Sequence, residues 1–164
     1  MNYQCISHSF WSEVLGLCLT RNIWLDPRLY IALVAAPFLL TTGIVLFPDA
    51  VPVLDFSWMA LLLMVFWQPI IEELFFRGVL HGQLLRLTFF SHEYMGITVT
   101  NLIVSALFTV AHLYVHACSW ALAVLVPSLI FGWFRDQDSS IYPPIVLHSF
   151  YNAVLLAFVS YVLV

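Results

Sequence analysis

The sequence predicts an all-α fold, a polytopic transmembrane helix bundle of about five spans plus an N-terminal interfacial helix. Three observations carry this. Hydrophobic residues make up 63% of the 164 and charged residues only 9%. A soluble domain is about 25% charged, so a water-facing shell cannot be assembled from this inventory. A chain of this size also has too much surface to hide so many Phe, Trp and Leu in a soluble interior. Finally, the apolar residues fall into separable runs, several of them near the ~20 helical residues that a bilayer core requires.

Residues 10–20 are too short to span. They read as an interfacial helix with Trp11 and Trp24 as headgroup anchors, or as a cytoplasmic tail. Residues 1–28 thus form an N-terminal cytoplasmic or interfacial segment, and residues 29–164 the transmembrane domain. The first span, 29–47, has no charge and ends at Pro48-Asp49. The second begins near residue 56, stays apolar to Ile71, and continues through Glu72, Glu73 and Arg77 to about residue 90. The third runs over 95–115, the fourth over 119–134 and the fifth over 141–164. By length the third and fifth cross comfortably, whereas the fourth is short.

All five basic residues are arginines: Arg21, Arg28, Arg77, Arg86 and Arg135. With five spans they fall on one side, while the 48–55 loop carries only Asp49 and Asp55. The positive-inside rule then puts the N-terminus in the cytoplasm of a multi-pass protein, in a cell inner membrane. No basic patch exists, so a nucleic-acid partner has no electrostatic footprint. Cys5, Cys18 and Cys118 lack CxxC spacing and read as small hydrophobes rather than a disulfide framework. No signal-peptide cleavage pattern opens the chain.

Every ionisable group inside hydrocarbon is expensive and needs an account. In Gln68-Pro69-Ile70-Ile71-Glu72-Glu73-Leu74-Phe75-Phe76-Arg77, Pro69 removes a backbone hydrogen bond and is expected to kink the helix. The adjacent carboxylates point about 100° apart on a helix. Glu73 pairs with Arg77 at i,i+4, and Glu72 is left free to face a cavity. The alternative is a charge cluster at a span end. His112 closes Phe108-Thr109-Val110-Ala111-His112, with His116 a turn further on. Either histidine can simply bond a backbone carbonyl, His116 the more so because it lies near a loop. His148 and Asn152 share a helical face in His148-Ser149-Phe150-Tyr151-Asn152, and an interhelical clamp is the plain alternative. Residues 135–140 read as a solvated loop.

Together, a carboxylate, two imidazoles and a carboxamide can activate water and hold a developing oxyanion. No serine or cysteine has a nucleophile's setting, and HExxH is absent. A metal held by Glu72, His112 and His148 fits the same residue types.

EExxxR, FxxxH and HxxxN, in this order on three hydrophobic segments, resemble the CPBP family of CAAX-protease and bacteriocin-processing intramembrane enzymes. The resemblance covers about residues 57–158 and looks like a short core form. It implies a glutamic-type intramembrane endopeptidase without a cofactor, acting on a membrane-embedded or membrane-anchored protein or peptide. Glu72 would be the general base, His112 would position the water, and His148 and Asn152 would support the scissile carbonyl. Glu73 and Arg77 would be structural. Some short family members resemble maturation proteases for C-terminal sorting segments. A metal-dependent protease, a non-catalytic scaffold or immunity-type protein, and a proton-relay transporter are the competing readings. One difficulty remains at this level: counted from span ends near residues 89–96 and 141, Glu72 and His112 lie deeper than His148 and Asn152.

Overall fold

The computed structural model describes residues 3–5, 10–20, 23–48 and 57–162. Arg21, Asp49 and Asp55, which entered the charge count, lie outside them. The described chain is helical apart from two short hairpins. Strands β1 (Tyr3–Cys5) and β2 (Cys18–Thr20) flank helix α1 (Phe10–Leu15). Then come α2 (Pro27–Leu46), α3 (Trp58–Leu84), strands β3 (Glu93–Tyr94) and β4 (Ile97–Thr98), and α4 (Val99–Leu113). Helices α5 (Cys118–Asp138) and α6 (Tyr142–Val162) complete the bundle.

Among the described residues, α2, α3, α5 and most of α6 are long and apolar enough to cross a membrane, and α4 is a shorter apolar helix. The expected lengths are therefore reversed between the third and fourth segments. The third yields only 15 helical residues. The fourth gains one residue at its start and a turn at its end and reaches 21. Outward-facing side chains are large and apolar, such as Phe38 at 67% and Trp58 at 78% exposure. Patches of that extent are untenable in water and suit lipid.

Helix starts are set by local chemistry. Asp26 caps α2, its carboxylate accepting from the Arg28 backbone N–H at 2.9 Å, with Pro27 at the first position. The Arg28 guanidinium beside it holds the Asp26 carboxyl below its ordinary value. Thr98 caps α4 by accepting from Asn101 N–H at 3.0 Å. Helix α5 stops at Ser139, whose left-handed backbone ends the run.

Small residues let the helices meet. Leu29, Ala32 and Ala36 on α2 pack with Phe131, Phe134, Leu147 and Tyr151 of α5 and α6. The Tyr151 hydroxyl donates to Ala32 O at 3.0 Å. Between α4 and α5, a Cβ at Gly132 would overlap the Asn101 carboxamide. That carboxamide donates to Leu129 O and accepts from Ser105 Oγ.

The N-terminal segment is more than an interfacial helix. Trp11 is exposed as an anchor should be, but Ser12 and Val14 are buried, and α1 packs on the C-terminal half of α3. There Gly82 admits the Val14 backbone, since a Cβ would overlap the Val14 carbonyl oxygen. Arg135 secures the contact, donating to Val14 O and to Arg77 O at 3.0 Å each. So Arg135 is buried in the bundle, not part of a solvated loop. Cys18 is disulfide-bonded, and the hairpin register sets Cys5 opposite Cys18. The reading of the cysteines as hydrophobes alone is corrected at Cys18, because strand pairing between segments distant in sequence is not announced by cysteine spacing.

The depth difficulty also resolves. Helix α3 ends at Leu84, well before residue 89. His81 Nε2 meets Asp136 Oδ1 at 2.7 Å and Thr98 Oγ1 donates to Asp136 Oδ2 at 2.9 Å. These contacts align α3, α4 and α5 near one end. Glu73 then lies about two turns inward from His81, and His148 about two turns past Ile141.

Candidate active site

Helix α3 is continuous but not uniform. Two π-helical stretches, Leu62–Trp67 and Leu74–Leu80, flank an α-helical Gln68–Glu73. Each π stretch adds a residue per turn and so rotates the side chains that follow it. Pro69 is accommodated at the end of the first stretch. The carboxylates of Glu72 and Glu73 consequently face different surroundings.

Glu73 is wholly buried, as is Arg77. Arg77 Nη1 donates to Glu73 Oε1 at 3.1 Å, and Nη2 donates to Ser128 Oγ at 2.6 Å and Ser128 O at 3.0 Å. The guanidinium also stacks 4.6 Å from the Phe108 ring centre. Glu73 has a second partner that its spacing did not announce: His148 Nδ1 lies 2.8 Å from Glu73 Oε1. A carboxylate only accepts, so Nδ1 donates and the imidazole is fixed with Nε2 turned away. That Nε2 lies 3.8 Å from Glu72 Oε2.

Glu72 is the less buried of the pair, at 21% side-chain exposure. Its Oε1 accepts from Gln68 Nε2 at 2.7 Å, one turn back on the same helix face. Its Oε2 is out of solvent contact and has no hydrogen-bond partner. A shielded carboxylate oxygen without a donor is an acceptor in need of a proton-bearing neighbour.

Beside these groups is a cleft of about 110 Å³ lined by Gln68, His112, His116, His148, Tyr151 and Asn152, with Phe108, Phe131, Trp120 and several aliphatic residues between them. Three of the four expected acting residues therefore share one cleft. Glu72 stands behind its lining and reaches it through Gln68 and His148. His112 Nδ1 donates to Phe108 O at 2.9 Å. The backbone bond weighed as its plain alternative is thus present, yet it leaves Nε2 unengaged on a ring that faces the cleft. Asn152 Nδ2 donates to Met64 O on α3 at 2.8 Å, so the clamp between helices exists as well.

Two lining residues had been passed over. Gln68 headed its cluster without a role, although i,i+4 spacing to Glu72 was the available signal. His116 was set aside as near a loop, but its ring stacks on His112 at 5.8 Å between centres. Burial pushes the His116 imidazole below its ordinary value, and the neighbouring His112 adds to this. Among the described residues, no three His, Cys, Asp or Glu side chains converge as a metal would require. His148 and His112 each commit Nδ1 to an oxygen acceptor, which leaves Nε2 of each ring as the atom available to a ligand.

Comparison with known proteins gives one relationship. No curated protein and no solved structure matches the chain. Residues 54–154 match the family described as type II CAAX prenyl endopeptidase Rce1-like, a stretch that holds all three motifs and the cleft-lining residues of α3 to α6 apart from Leu155. The chain therefore belongs to the Rce1-like CAAX prenyl endopeptidase family, and with its apolar helices it is an integral membrane protein of a protease family.

Proposed function

We propose that this protein is an intramembrane endopeptidase in which Glu72 activates a water against the scissile carbonyl of a membrane-anchored peptide segment. The observation that supports this is that Glu72, unlike the enclosed Glu73, is partly exposed, with its Oε2 free of hydrogen-bond donors and 3.8 Å from Nε2 of the cleft-lining His148. Glu72 takes a proton from water, and the resulting hydroxide attacks the carbonyl carbon. The neutral Nε2 of His112, whose Nδ1 proton is committed to Phe108 O, accepts a hydrogen bond that orients this water. The developing oxyanion faces the Asn152 amide, and the His148 ring, held by Glu73, stands beside it. Collapse breaks the C–N bond, and Glu72 returns its proton to the leaving amine. General-base catalysis of this kind contributes about 10²–10⁴-fold, and one oxyanion donor about 10²–10³-fold.

Residues 29–164 form the protease domain in this reading, and residues 1–28 the N-terminal segment, of which α1 packs against it. The substrate class is a membrane-embedded or membrane-anchored protein, a C-terminal sorting segment among them. The N-terminus is placed in the cytoplasm and the protein in a cell inner membrane. Arg77 and Arg135 are buried structural groups, so that orientation rests on the remaining arginines, Arg28 and Arg86 foremost.

The test is cleavage of a membrane-anchored peptide in proteoliposomes by wild type and Glu72→Gln. Glu72→Gln is expected to lose about 10²–10⁴-fold in kcat, with wild-type activity indifferent to chelators. Wild-type cleavage by Glu72→Gln defeats the mechanism. Activity lost to a chelator and restored by zinc replaces it with a metal-dependent one.

A further inference from the structure

The first π stretch of α3 ends with the Gln68 N–H donating to Leu63 O, five residues back. In that register the next carbonyl, Met64 O, would take the N–H of residue 69. Residue 69 is proline and has no N–H. A carbonyl is thus released from the helix at the level of the cleft, and it is the one that accepts from Asn152 Nδ2 at 2.8 Å. Pro69 itself is buried.

We infer that Pro69 is a positioning residue: by freeing Met64 O it supplies the fixed acceptor that orients the Asn152 carboxamide. The inference rests on the reading of Asn152 as an oxyanion donor. A carboxamide nitrogen carries two hydrogens in one plane. With one committed to Met64 O, rotation of the amide is stopped and the second hydrogen has a set direction. Asn152 also lines the cleft, so that direction is available to a bound carbonyl. Without the tie, the amide can rotate and present its oxygen, which would repel an oxyanion. The interhelical clamp and the catalytic role of Asn152 are then two uses of one amide group.

Restoring an N–H at position 69 breaks this arrangement, because the helix then competes for Met64 O. Pro69→Ala and Pro69→Leu both do so with good helix formers, so at least one reads out even if the other packs poorly. Each is expected to melt at or above the wild-type temperature. Each is expected to lose about 10- to 100-fold in kcat with KM within about two-fold, the scale of a misplaced catalytic group. Asn152→Ala alone should lose about 10²–10³-fold, and adding Pro69→Ala to it should cost little more. Wild-type kcat in the Pro69 variants overturns the inference, as does a Pro69→Ala loss that is undiminished in the Asn152→Ala background. If Glu72→Gln is inactive while Pro69→Ala is fully active, only the role of Pro69 falls. If Glu72→Gln cleaves normally, the proposed reaction falls instead.

Discussion

Adjacent glutamates on one helix turn have separate surroundings in this protein. Glu73 is wholly enclosed with Arg77 and His148 on one oxygen, whereas Glu72 is partly exposed and keeps one oxygen on Gln68; the second oxygen of each has no hydrogen-bond partner among the described residues. The i,i+4 spacing made the Glu73–Arg77 pair legible from residue types alone. It did not reveal that Glu73 also orients His148, because that contact joins residues 75 apart. Glu73 is therefore a positioning group as well as a brace. Arg77 is the centre of this network, with Ser128 and the Phe108 ring as further partners. Arg77→Met strands the Glu73 carboxylate in the interior, and breaking a buried pair in this way costs about 3–5 kcal/mol. Unfolding in a denaturing detergent should show that loss. A variant as stable as wild type would mean that Glu73 has no need of its cation.

At the scale of elements, sequence periodicity located every apolar helix but not its internal geometry. Pro69 announced a disturbance in α3, and the helix meets it with π turns on both sides of Gln68–Glu73. Hydropathy has no information on such turns, which is why the free Met64 carbonyl and its use by Asn152 could not be read. The packing of α1 on α3 was closer to legible. Gly78 and Gly82 are four apart, a small-residue spacing that admits a neighbouring backbone. Gly132 makes room instead for the Asn101 side chain between α4 and α5. Gly132→Ala drives a methyl into the Asn101 carboxamide, and overpacking of this kind costs about 1–3 kcal/mol. Thermal melting in detergent should record it. Adding Asn101→Ala should recover part of the loss by making room; no recovery would place the strain elsewhere.

For the whole molecule, composition decided the solvent and the motifs pointed to the candidate site. The 9% charged fraction excludes a soluble shell, and the exposed Phe and Trp side chains face outward as lipid requires. The sequence led us to expect the three motifs at one cleft; FxxxH and HxxxN line it, while EExxxR stands behind its lining and reaches it through Gln68 and His148. The levelling of α3, α4 and α5 by His81, Asp136 and Thr98 was not expected, since each had been read as loop or ignored. The N-terminal segment follows the same pattern: its Trp11 was legible, while its burial against Arg135 depends on folding of the entire bundle.

The division of labour between the two glutamates is the centre of this account, and kcat per folded molecule for Glu72→Gln and Glu73→Gln in proteoliposomes tests it most directly. Glu72→Gln should keep its melting temperature and lose about 10²–10⁴-fold in kcat, whereas Glu73→Gln should lose stability first. A Glu72→Gln enzyme that cleaves at the wild-type rate, or a stable Glu73→Gln enzyme that is the inactive one, would contradict it.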